Sequence, residues 1–433
     1  NGVVPAGTLY RWSTPSYTGT VTGGQSNSLQ NRIFGNLLNR TNTIQTVTYS
    51  VIPTSQNCGD DTPFTVVVTL NPTPEVTAMT TVTCSGVPFV VTPSNGTNGI
   101  VPIASLYSWG IPTFTGTVTG GASATDNVTT IFGTLRNRTN ETQTVTYTVT
   151  PRTAAGCVGT NFTLTVTLPP TAEITTMTTV TCSGVPFVVT PTNVTNGIVP
   201  NGSVYSWSVP TFTGTVTGGA SASNYPTIVF GNLLNRTNTT QTVTYTVTPL
   251  SGNCTGAAFT VIVTLNPTPE VTAMTTVTCS GVPFVVTPSN GTNGIVPIAS
   301  LYSWGIPTFT GTVTGGASFT NNVTTIFGNL LNRTNTTQTV TYRVTPLSGN
   351  CTGAAFTVIV TLNPTPEVSA MSRVVCNGVQ FTVSPVNNMN GIVPDGSFFT
   401  WSAPTFTGTV TGGASVSNNP HTVFGSLSNR TNT

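Results

Sequence analysis

A repeat of about 97 residues constrains this chain more than any other feature of its sequence. Its five tryptophans, Trp12, Trp109, Trp207, Trp304 and Trp401, are spaced 97, 98, 97 and 97 residues apart. Residues 68–123 are identical to residues 263–318, which points to recent duplication. Self-similarity at a fixed period indicates a chain built from copies of one structural unit. We therefore expect the 433 residues to form an array of small domains rather than one large core.

Proline clusters mark the boundaries of the units. The stretch "LNPTPEV" occurs at 70–76, 265–271 and 362–368, and the related "LPPTAEI" occurs at 168–174. Because proline offers no donor to a β-ladder, these stretches predict short, stiff, extended linkers. They predict a partial repeat at 1–70, three whole repeats at 71–168, 169–265 and 266–362, and a second partial repeat at 363–433, called repeats 1 to 5 below. Both ends cut through a repeat, so we expect the parent polypeptide to continue in both directions.

Alternating apolar residues predict that each repeat is all-β. In "QTVTYTVTP", Val243, Tyr245 and Val247 alternate with threonine, and "AAFTVIVTL" alternates in the same way from Phe259 to Leu265. This period of two places one face on a core and the other in water. The "LSGNCTG" between these runs predicts a hairpin turn. "SLYSWGIP" places Tyr107, Trp109 and Ile111 on one face, and "VPFVVTP" predicts a further apolar strand.

The predicted fold class is therefore a tandem array of immunoglobulin-like β-sandwiches forming an elongated rod. Several short strands within 100 residues, with tryptophan on the third and tyrosine on the penultimate one, are typical of that sandwich. A β-solenoid fits poorly, since its repeats are about 20–30 residues long.

The composition excludes several classes of function. Charged residues make up 5% of the chain, against about 25% in an average globular protein. All eleven basic residues are arginine and none lie in a run, so we expect no nucleic-acid partner. No apolar stretch approaches the roughly 20 residues of a membrane span. His421, the one histidine, has no counterpart in the other repeats, which excludes a repeated catalytic triad or zinc site.

Carboxylates are equally sparse. Four of the five glutamates recur in the linkers, at Glu75, Glu173, Glu270 and Glu367. A calcium site needs several carboxylates converging on one ion, and each linker offers only one. We expect each linker glutamate to cap a local amide or to meet an arginine of the adjoining repeat. The sequence predicts no catalytic residue, no cofactor and no metal site.

Arginine recurs once per repeat in the motif "NRTN", at Arg40, Arg138, Arg236, Arg333 and Arg430. Its planar guanidinium can tie several backbone carbonyls together in the loop before the tyrosine strand. The alternative is a ladder of contacts to polysaccharide or to a neighbouring filament. We favour the structural role because the surrounding asparagine and threonine are turn-forming residues.

Eight cysteines occur, two per period, and indicate disulfides formed in an oxidising location. One class lies in "CSG" or "CNG" (Cys84, Cys182, Cys279 and Cys376), and the other follows the tyrosine strand (Cys58, Cys157, Cys254 and Cys351).

Two pairings remain open for Cys84. A bond to Cys157 would lie within one repeat. On an immunoglobulin-like topology, however, Cys84 lies at the far end of its sandwich and Cys157 beside the entry, about 25 Å away, whereas a disulfide needs Cα atoms within about 7 Å. Cys84 would then meet Cys254 of the next repeat, and Cys182 would meet Cys351. The other four cysteines would have partners outside this chain, or would pair within repeats if the first strand were swapped.

The quoted motifs carry a family resemblance. "CSGVPFVVTP", "YSWGIPTFTGTVTGGAS" and "NRTNTTQTVTYTVTPLSGNCTGAAFTVIVTLNPTPEV", at a 97-residue period, resemble the PKD-like repeats of giant surface proteins in the Bacteroidota. The resemblance covers essentially the whole chain. It implies export by the type IX system and display on the outer membrane, as in flavobacterial gliding adhesins.

The predicted function is the shaft of an extracellular adhesin filament, not an enzyme. Its expected partners are neighbouring repeats of the same chain and a surface polysaccharide or solid substratum. Each repeat should advance the rod by about 35–45 Å. The alternative is an array of carbohydrate-binding modules, for which the candidate residues are the aromatics of the "PTFTG" motif and its variant: Tyr17, Phe114, Phe212, Phe309 and Phe406.

Overall fold

The computed structural model describes residues 2–55, 58–418 and 420–431. The outer bounds of the predicted array, residues 1 and 432–433, lie outside the described residues. The described part forms 50 strands and no helix. All-β architecture is thus confirmed, and it follows from the period-two alternation that recurs in every repeat.

The strands are short and follow one order in each repeat. Repeat 1 contains β1–β8, at Leu9–Trp12, Ser16–Tyr17, Val21–Gly23, Asn27–Gln30, Leu37–Asn39, Gln45–Ser55, Gly59–Asp60 and Phe64–Leu70. Repeat 2 contains β9–β19, at Glu75–Val76, Met79–Val82, Pro88–Val91, Gly99–Ile100, Leu106–Trp109, Thr113–Phe114, Val118–Gly120, Ala124–Val128, Ile131–Asn137, Gln143–Arg152 and Phe162–Leu168.

Repeats 3 to 5 continue the series. Repeat 3 contains β20–β32, at Glu173–Ile174, Met177–Cys182, Phe187–Val189, Gly197–Ile198, Val204–Trp207, Thr211–Phe212, Val216–Gly218, Ala222–Pro226, Val229–Gly231, Leu233–Asn235, Gln241–Ser251, Cys254–Thr255 and Phe259–Asn266. Repeat 4 contains β33–β45, at Glu270–Val271, Met274–Cys279, Phe284–Val286, Gly294–Ile295, Leu301–Trp304, Thr308–Phe309, Val313–Gly315, Phe319–Val323, Ile326–Gly328, Leu330–Asn332, Gln338–Ser348, Cys351–Thr352 and Phe356–Asn363. Repeat 5 contains β46–β50, at Glu367–Val368, Gln380–Val383, Gly391–Ile392, Val410–Gly412 and Val423–Asn429.

Each whole repeat is a sandwich of two sheets. In repeat 2 the larger sheet has the order β10-β19-β18-β13-β16, and the smaller has the order β11-β17-β15. The first strand, β10, runs parallel to the last, β19, with Met79 opposite Leu164. The other pairs are antiparallel. The chain therefore crosses between the sheets in the turn from β10 to β11, at the end of the sandwich opposite its entry.

The predicted core positions are confirmed. Val243, Tyr245 and Val247 on β30 are 0% exposed, and Phe259 to Leu265 bury every second side chain on β32. Trp207 on β24 is 5% exposed and packs in the same cluster. One prediction from the tryptophan strand was wrong. Ile111 is 78% exposed, because β13 ends at Trp109 and the alternation stops there.

The partial repeats have less complete cores. Repeat 1 begins at its tryptophan strand, β1, and the inward residues Val66, Val68 and Leu70 on β8 are only partly buried, whereas the matching residues of β32 are 0% exposed. In repeat 5 the described strands end at β50, which aligns with β17, and Trp401 is partly exposed whereas the other four tryptophans are buried. The buried core is therefore best formed in repeats 2 to 4.

The tyrosine of the penultimate strand is buried without a hydrogen-bond partner. In the described part of the chain this holds for the hydroxyls of Tyr49, Tyr147, Tyr245 and Tyr342. Two glycines surround each of these hydroxyls: a Cβ at Gly219 or Gly231 would come within 3.0 or 2.7 Å of the Tyr245 oxygen. Burial raises the pKa of Tyr147, Tyr245 and Tyr342 to about 12 from the ordinary value of 10.0.

We expect the triple variant Y147F/Y245F/Y342F to be at least as stable as the parent at pH 7. Removing an unpaired buried hydroxyl spares a desolvation cost of about 1–3 kcal/mol at each site. The parent should lose stability between pH 10 and 12, because the unfolded chain releases its tyrosine protons first. The variant should lose less. Urea unfolding at pH 7 and pH 11 checks both points, and equal alkaline losses in the two proteins would contradict the assignment.

Candidate functional site at the junctions between repeats

Two disulfides join successive repeats. Cys84, in the turn after β10, is bonded to Cys254, in the β30–β32 hairpin of the next repeat, with Cα atoms 5.5 Å apart. Cys182 is bonded to Cys351 in the same way, with Cα atoms 5.6 Å apart. Of the two alternatives for Cys84, the structure contains the bond to the following repeat. Cys157, the within-repeat alternative, is a free thiol.

Four described cysteines carry no disulfide. Cys58 and Cys157 occupy the hairpin position of Cys254, whereas Cys279 and Cys376 occupy the turn position of Cys84. The two bonds span 170 and 169 residues. In that register, the partners of the free cysteines would fall before residue 1 or after residue 433.

The "CSG" motif builds the turn that presents the cysteine. Ser85 Oγ accepts a hydrogen bond from the backbone N–H of Asn137 at 3.0 Å. The Gly86 N–H donates to the Leu135 carbonyl at 2.7 Å, and its φ of +83° is one that glycine adopts without strain. In the divergent "CNG" copy, Asn377 Oδ1 replaces the serine hydroxyl and accepts from the Asn429 N–H at 2.7 Å. The turn is thus pinned to the smaller sheet while its cysteine faces the next repeat.

The linker contacts both repeats that it joins, the preceding one by a hydrogen bond and its own by packing. The hydroxyl of Thr268 donates to the carbonyl of Ser183, in the preceding cysteine turn, at 2.9 Å. Thr171 and Thr365 make the equivalent bonds at 3.3 and 3.0 Å. On the other side the linker packs against the hairpin of its own repeat, where a Cβ at Gly353 would lie 2.1 Å from the Pro269 carbonyl oxygen. The linker is therefore packed and hydrogen-bonded rather than a free spacer.

Ion pairs also cross the junctions. Arg138 Nη1 lies 3.4 Å from Glu173, and Arg236 and Arg333 make the equivalent contacts to Glu270 and Glu367 at 3.4 and 3.6 Å. The expectation that a linker glutamate meets an arginine of the adjoining repeat is confirmed for these three. Both side chains of each pair are 36–57% exposed, so each pair contributes about 0–1 kcal/mol.

The structural role predicted for the "NRTN" arginine belongs to its neighbour. Arg40, Arg138, Arg236, Arg333 and Arg430 are exposed, and the three guanidinium groups above bond to carboxylates rather than to backbone carbonyls. The preceding asparagine ties the loop instead. Asn235 is 1% exposed, and its Nδ2 donates to the carbonyls of Thr239 and Leu265 at 2.7 and 3.2 Å.

The asparagine side chain is fully used. Oδ1 of Asn235 accepts from both the backbone N–H and the hydroxyl of Thr237, at 2.9 and 2.7 Å. The alternation of inward and outward residues along the preceding strand is the sequence feature that predicts this role for the asparagine. In repeat 2 the inward residues Ile131, Gly133 and Leu135 continue at Asn137, which is 0% exposed. A polar residue in an inward position needs hydrogen-bond partners, and the loop supplies them.

The five tryptophans hold the sandwich rather than the junction. In each repeat the indole Nε1 donates to a carbonyl 13 residues later, at 3.0–3.2 Å, from Trp12 to Gln25, Trp109 to Ala122, Trp207 to Ala220, Trp304 to Ala317 and Trp401 to Ala414. The phenylalanines of the "PTFTG" motif are not buried in the sandwich core. Phe114, Phe212, Phe309 and Phe406 are 38–44% exposed.

The described residues offer little acid–base or metal chemistry. They contain no group of three or more histidine, cysteine, aspartate or glutamate side chains placed to hold a metal ion. His421 stacks against Phe398, with ring centroids 4.5 Å apart, and its Nδ1 lies 3.1 Å from the Ser397 carbonyl oxygen. None of the described residues forms a helix of the length and apolarity that a membrane crossing requires.

We expect Asn235→Ala to destabilise repeat 3 by about 1–3 kcal/mol or more, because it leaves the buried Leu265 carbonyl without that donor. The adjacent Arg236→Ala removes only an exposed ion pair and should cost less than about 1 kcal/mol. Urea unfolding of the two variants compares neighbouring residues in one loop. Equal losses would mean that the arginine, not the asparagine, holds the loop.

Peptide mapping without reduction should recover Cys84 linked to Cys254 and Cys182 linked to Cys351. A thiol reagent should label Cys58, Cys157, Cys279 and Cys376 before reduction and all eight cysteines after it. Recovery of a peptide linking Cys84 to Cys157 would contradict the junction bonds.

Comparisons with known proteins place this fold in a family. No curated protein matches the sequence. Similar solved structures include the human desmocollin-1 ectodomain, with 11% identity, covering 98% of this chain and 87% of that one, at a TM-score of 0.24. The four immunoglobulin domains of Sidekick-1 share 9% identity over 84% and 92% of the two chains at 0.19, and the insect immune protein hemolin shares 10% over 72% and 82% at 0.21. These values support no conclusion about binding or assembly.

The family model described as "PKD-like domain" matches residues 1–74, 81–172, 179–269 and 276–366, which is more than half of the chain. Together with the all-β repeats, these four matches show that the chain belongs to the PKD-like domain family.

Proposed function

We propose that this chain is part of the shaft of a long extracellular adhesin filament that transmits force during attachment or gliding. The disulfides fit an oxidising, extracellular location. The resemblance to giant surface proteins of the Bacteroidota supports type IX export and outer-membrane display. The observation that carries the proposal is the disulfide bond between successive repeats, made twice with the same geometry.

The two disulfide-bonded junctions, between repeats 2 and 3 and between repeats 3 and 4, resist bending because their contacts are spread over separate points. At the second of these, the turn of Cys182 holds the hairpin of the next repeat covalently, and the hydroxyl of Thr268 donates to the same turn. The Arg236–Glu270 pair joins the loop after the smaller sheet to the linker. Two rigid bodies fixed at several separated points have little freedom to hinge. In this proposal, repeats 2 to 4 therefore behave as one stiff rod.

The chain segments that the two disulfides span also overlap. The bond from Cys84 to Cys254 overlaps the bond from Cys182 to Cys351. The shortest covalent path from Cys84 to Cys351 thus runs through one disulfide and the 97 residues from Cys254 onward. The two disulfides close loops of 170 and 169 residues. Closing a loop of this size stabilises the folded chain by about 5 kcal/mol in the chain-entropy model. A pull that unfolds a repeat can release only part of its length.

Pulling the chain from its two ends should test this load path. With the bonds intact, the segment from Cys84 to Cys351 should extend to at most about 340 Å, at about 3.5 Å per residue. After reduction the same segment should extend to about 930 Å. The variant C84S/C182S should behave like the reduced chain, while C58S/C157S, which removes free thiols only, should behave like the parent. The same extension before and after reduction would contradict the proposal that the two disulfides carry force along the chain.

Surface display needs a separate test. Antibody raised against this chain should label intact cells of the parent organism, and mild protease treatment of those cells should remove the label. Cells that are labelled only after permeabilisation would contradict display. The proposed role requires no cofactor and no catalytic group, and its partners are the neighbouring repeats and a surface polysaccharide or solid substratum.

A further inference from the structure

An exposed apolar groove lies beside the buried tryptophan, on a part of the repeat that the junctions do not use. In repeat 4 the groove has a volume of about 960 Å³, with Trp304, Phe319 and Phe327 along it and Val285 and Ile306 at its sides. Repeat 2 has the same groove, of about 510 Å³, at Trp109 and Phe132. Both volumes lie in the range of small-ligand sites, roughly 300–1,000 Å³.

The same pair of aromatic rings occurs in all five repeats, and in repeats 2 and 4 it lines the groove. A phenylalanine 22 or 23 residues after the tryptophan meets the indole edge-on, with ring centroids 5.6–5.8 Å apart, in the pairs Trp12–Phe34, Trp109–Phe132, Trp207–Phe230, Trp304–Phe327 and Trp401–Phe424. This phenylalanine faces outward. On β17 the flanking Ile131 is 0% exposed, whereas Phe132 is 47% exposed. Its partner across the ladder, Val90, is 68% exposed.

A third ring is added in some repeats from the strand that pairs with the tryptophan strand. Phe319 stacks on Trp304, with centroids 5.5 Å apart and planes 26° apart, and lies 5.3 Å from Phe327. In repeat 3, Tyr225 reaches the tryptophan from a different position on the same strand, at 6.0 Å. Repeat 2 has Ala124 where repeat 4 has Phe319. The number of rings beside the tryptophan therefore differs between repeats while the buried tryptophan stays the same.

The lining of the groove indicates a neutral ligand with an apolar face. None of the residues that line it in repeats 2 and 4 is charged. Thr325 and Asn329 add polar atoms to the lining in repeat 4. Aromatic rings beside a few polar groups match the ring of a neutral sugar, whose C–H face packs on aromatic side chains while its hydroxyls bond to the polar groups.

A second copy of the chain fits the groove less well. A stable protein interface buries roughly 800 Å² on each partner. The groove of repeat 4 offers few exposed apolar side chains, chiefly Val285, Ile306 and Phe327, at 65%, 77% and 39% exposure. The aromatic pair recurs once per repeat at a regular spacing, which instead suits a ligand that is itself a repeating polymer. Many weak sites on one rod gain avidity for such a ligand.

We propose that each repeat carries a weak subsite for a neutral hexose unit in this groove, so that the array binds neutral polysaccharide along its side. The proposal does not depend on the stiffness of the junctions. It also places the saccharide contact at the tryptophan–phenylalanine pair, and not at the "PTFTG" aromatics.

The whole chain can be tested against cellulose, chitin, laminarin, xylan and galactomannan, with the polyanion alginate as comparator. We expect retention on at least one neutral polymer and at least a tenfold weaker affinity for F132A/F230A/F327A. The matched control is F114A/F212A/F309A. Phe309 is 38% exposed and Phe327 is 39% exposed in the same repeat. The control should change the affinity less than twofold.

A gain-of-function variant covers the case in which the groove triple variant fails to fold. Residues 68–123 and 263–318 are identical, and the next position is Ala124 in repeat 2 and Phe319 in repeat 4. Ala124→Phe should therefore strengthen binding about threefold or more, and Phe319→Ala should weaken it. No retention on any neutral polymer, equal losses in both triple variants, or no effect of either change at 124 and 319 would overturn the proposal. A sedimentation coefficient that falls only in the groove variants, without saccharide binding, would identify a contact between copies instead.

Discussion

The pinned cysteine turn is the contact on which the rest of the array depends. Its serine hydroxyl and glycine N–H bond to the smaller sheet, and its cysteine is thereby held at the far end of the sandwich. There the hairpin of the following repeat lies within disulfide distance, with Cα atoms 5.5 Å apart. Without the turn, the linker threonine would lose its acceptor and the disulfide would lose one of its two cysteines. One three-residue motif thus determines both the local turn and the joint between domains.

Polar residues replace ions in holding this molecule together. With 5% charged residues, the loops are ordered by buried asparagine and by threonine hydroxyls rather than by salt bridges. The asparagine of "NRTN" makes four hydrogen bonds from an inward position, whereas the arginine beside it makes one exposed pair. Hydrogen bonds of this kind are insensitive to salt, and exposed ion pairs are not. Such a construction suits a surface exposed to variable ionic strength.

The ends and the sides of each repeat are available for different tasks. The two ends are occupied by the disulfide, the linker threonine and the ion pair. The groove beside the tryptophan lies outside these contacts, and its aromatic residues vary between repeats that are otherwise nearly identical. Ala124 and Phe319 are partly buried at the edge of the core, so changes at this position alter the groove without touching the joints. An array of repeats built in this way can keep its joints while its side surface changes.

The sequence alone determined the repeat, the strands and most of the core. Period-two alternation identified Tyr245 and its neighbours as buried, because strand geometry is local and each side chain's face follows from its position. It narrowed the partner of Cys84 to Cys157 or Cys254 through topology. What only the tertiary structure decided depends on contacts between distant segments. The choice of Cys254, the transfer of the loop-holding role from arginine to asparagine, and the aromatic groove all require knowing which surfaces meet. The exposure of Ile111 likewise depends on where β13 ends, which the pattern of apolar residues did not show.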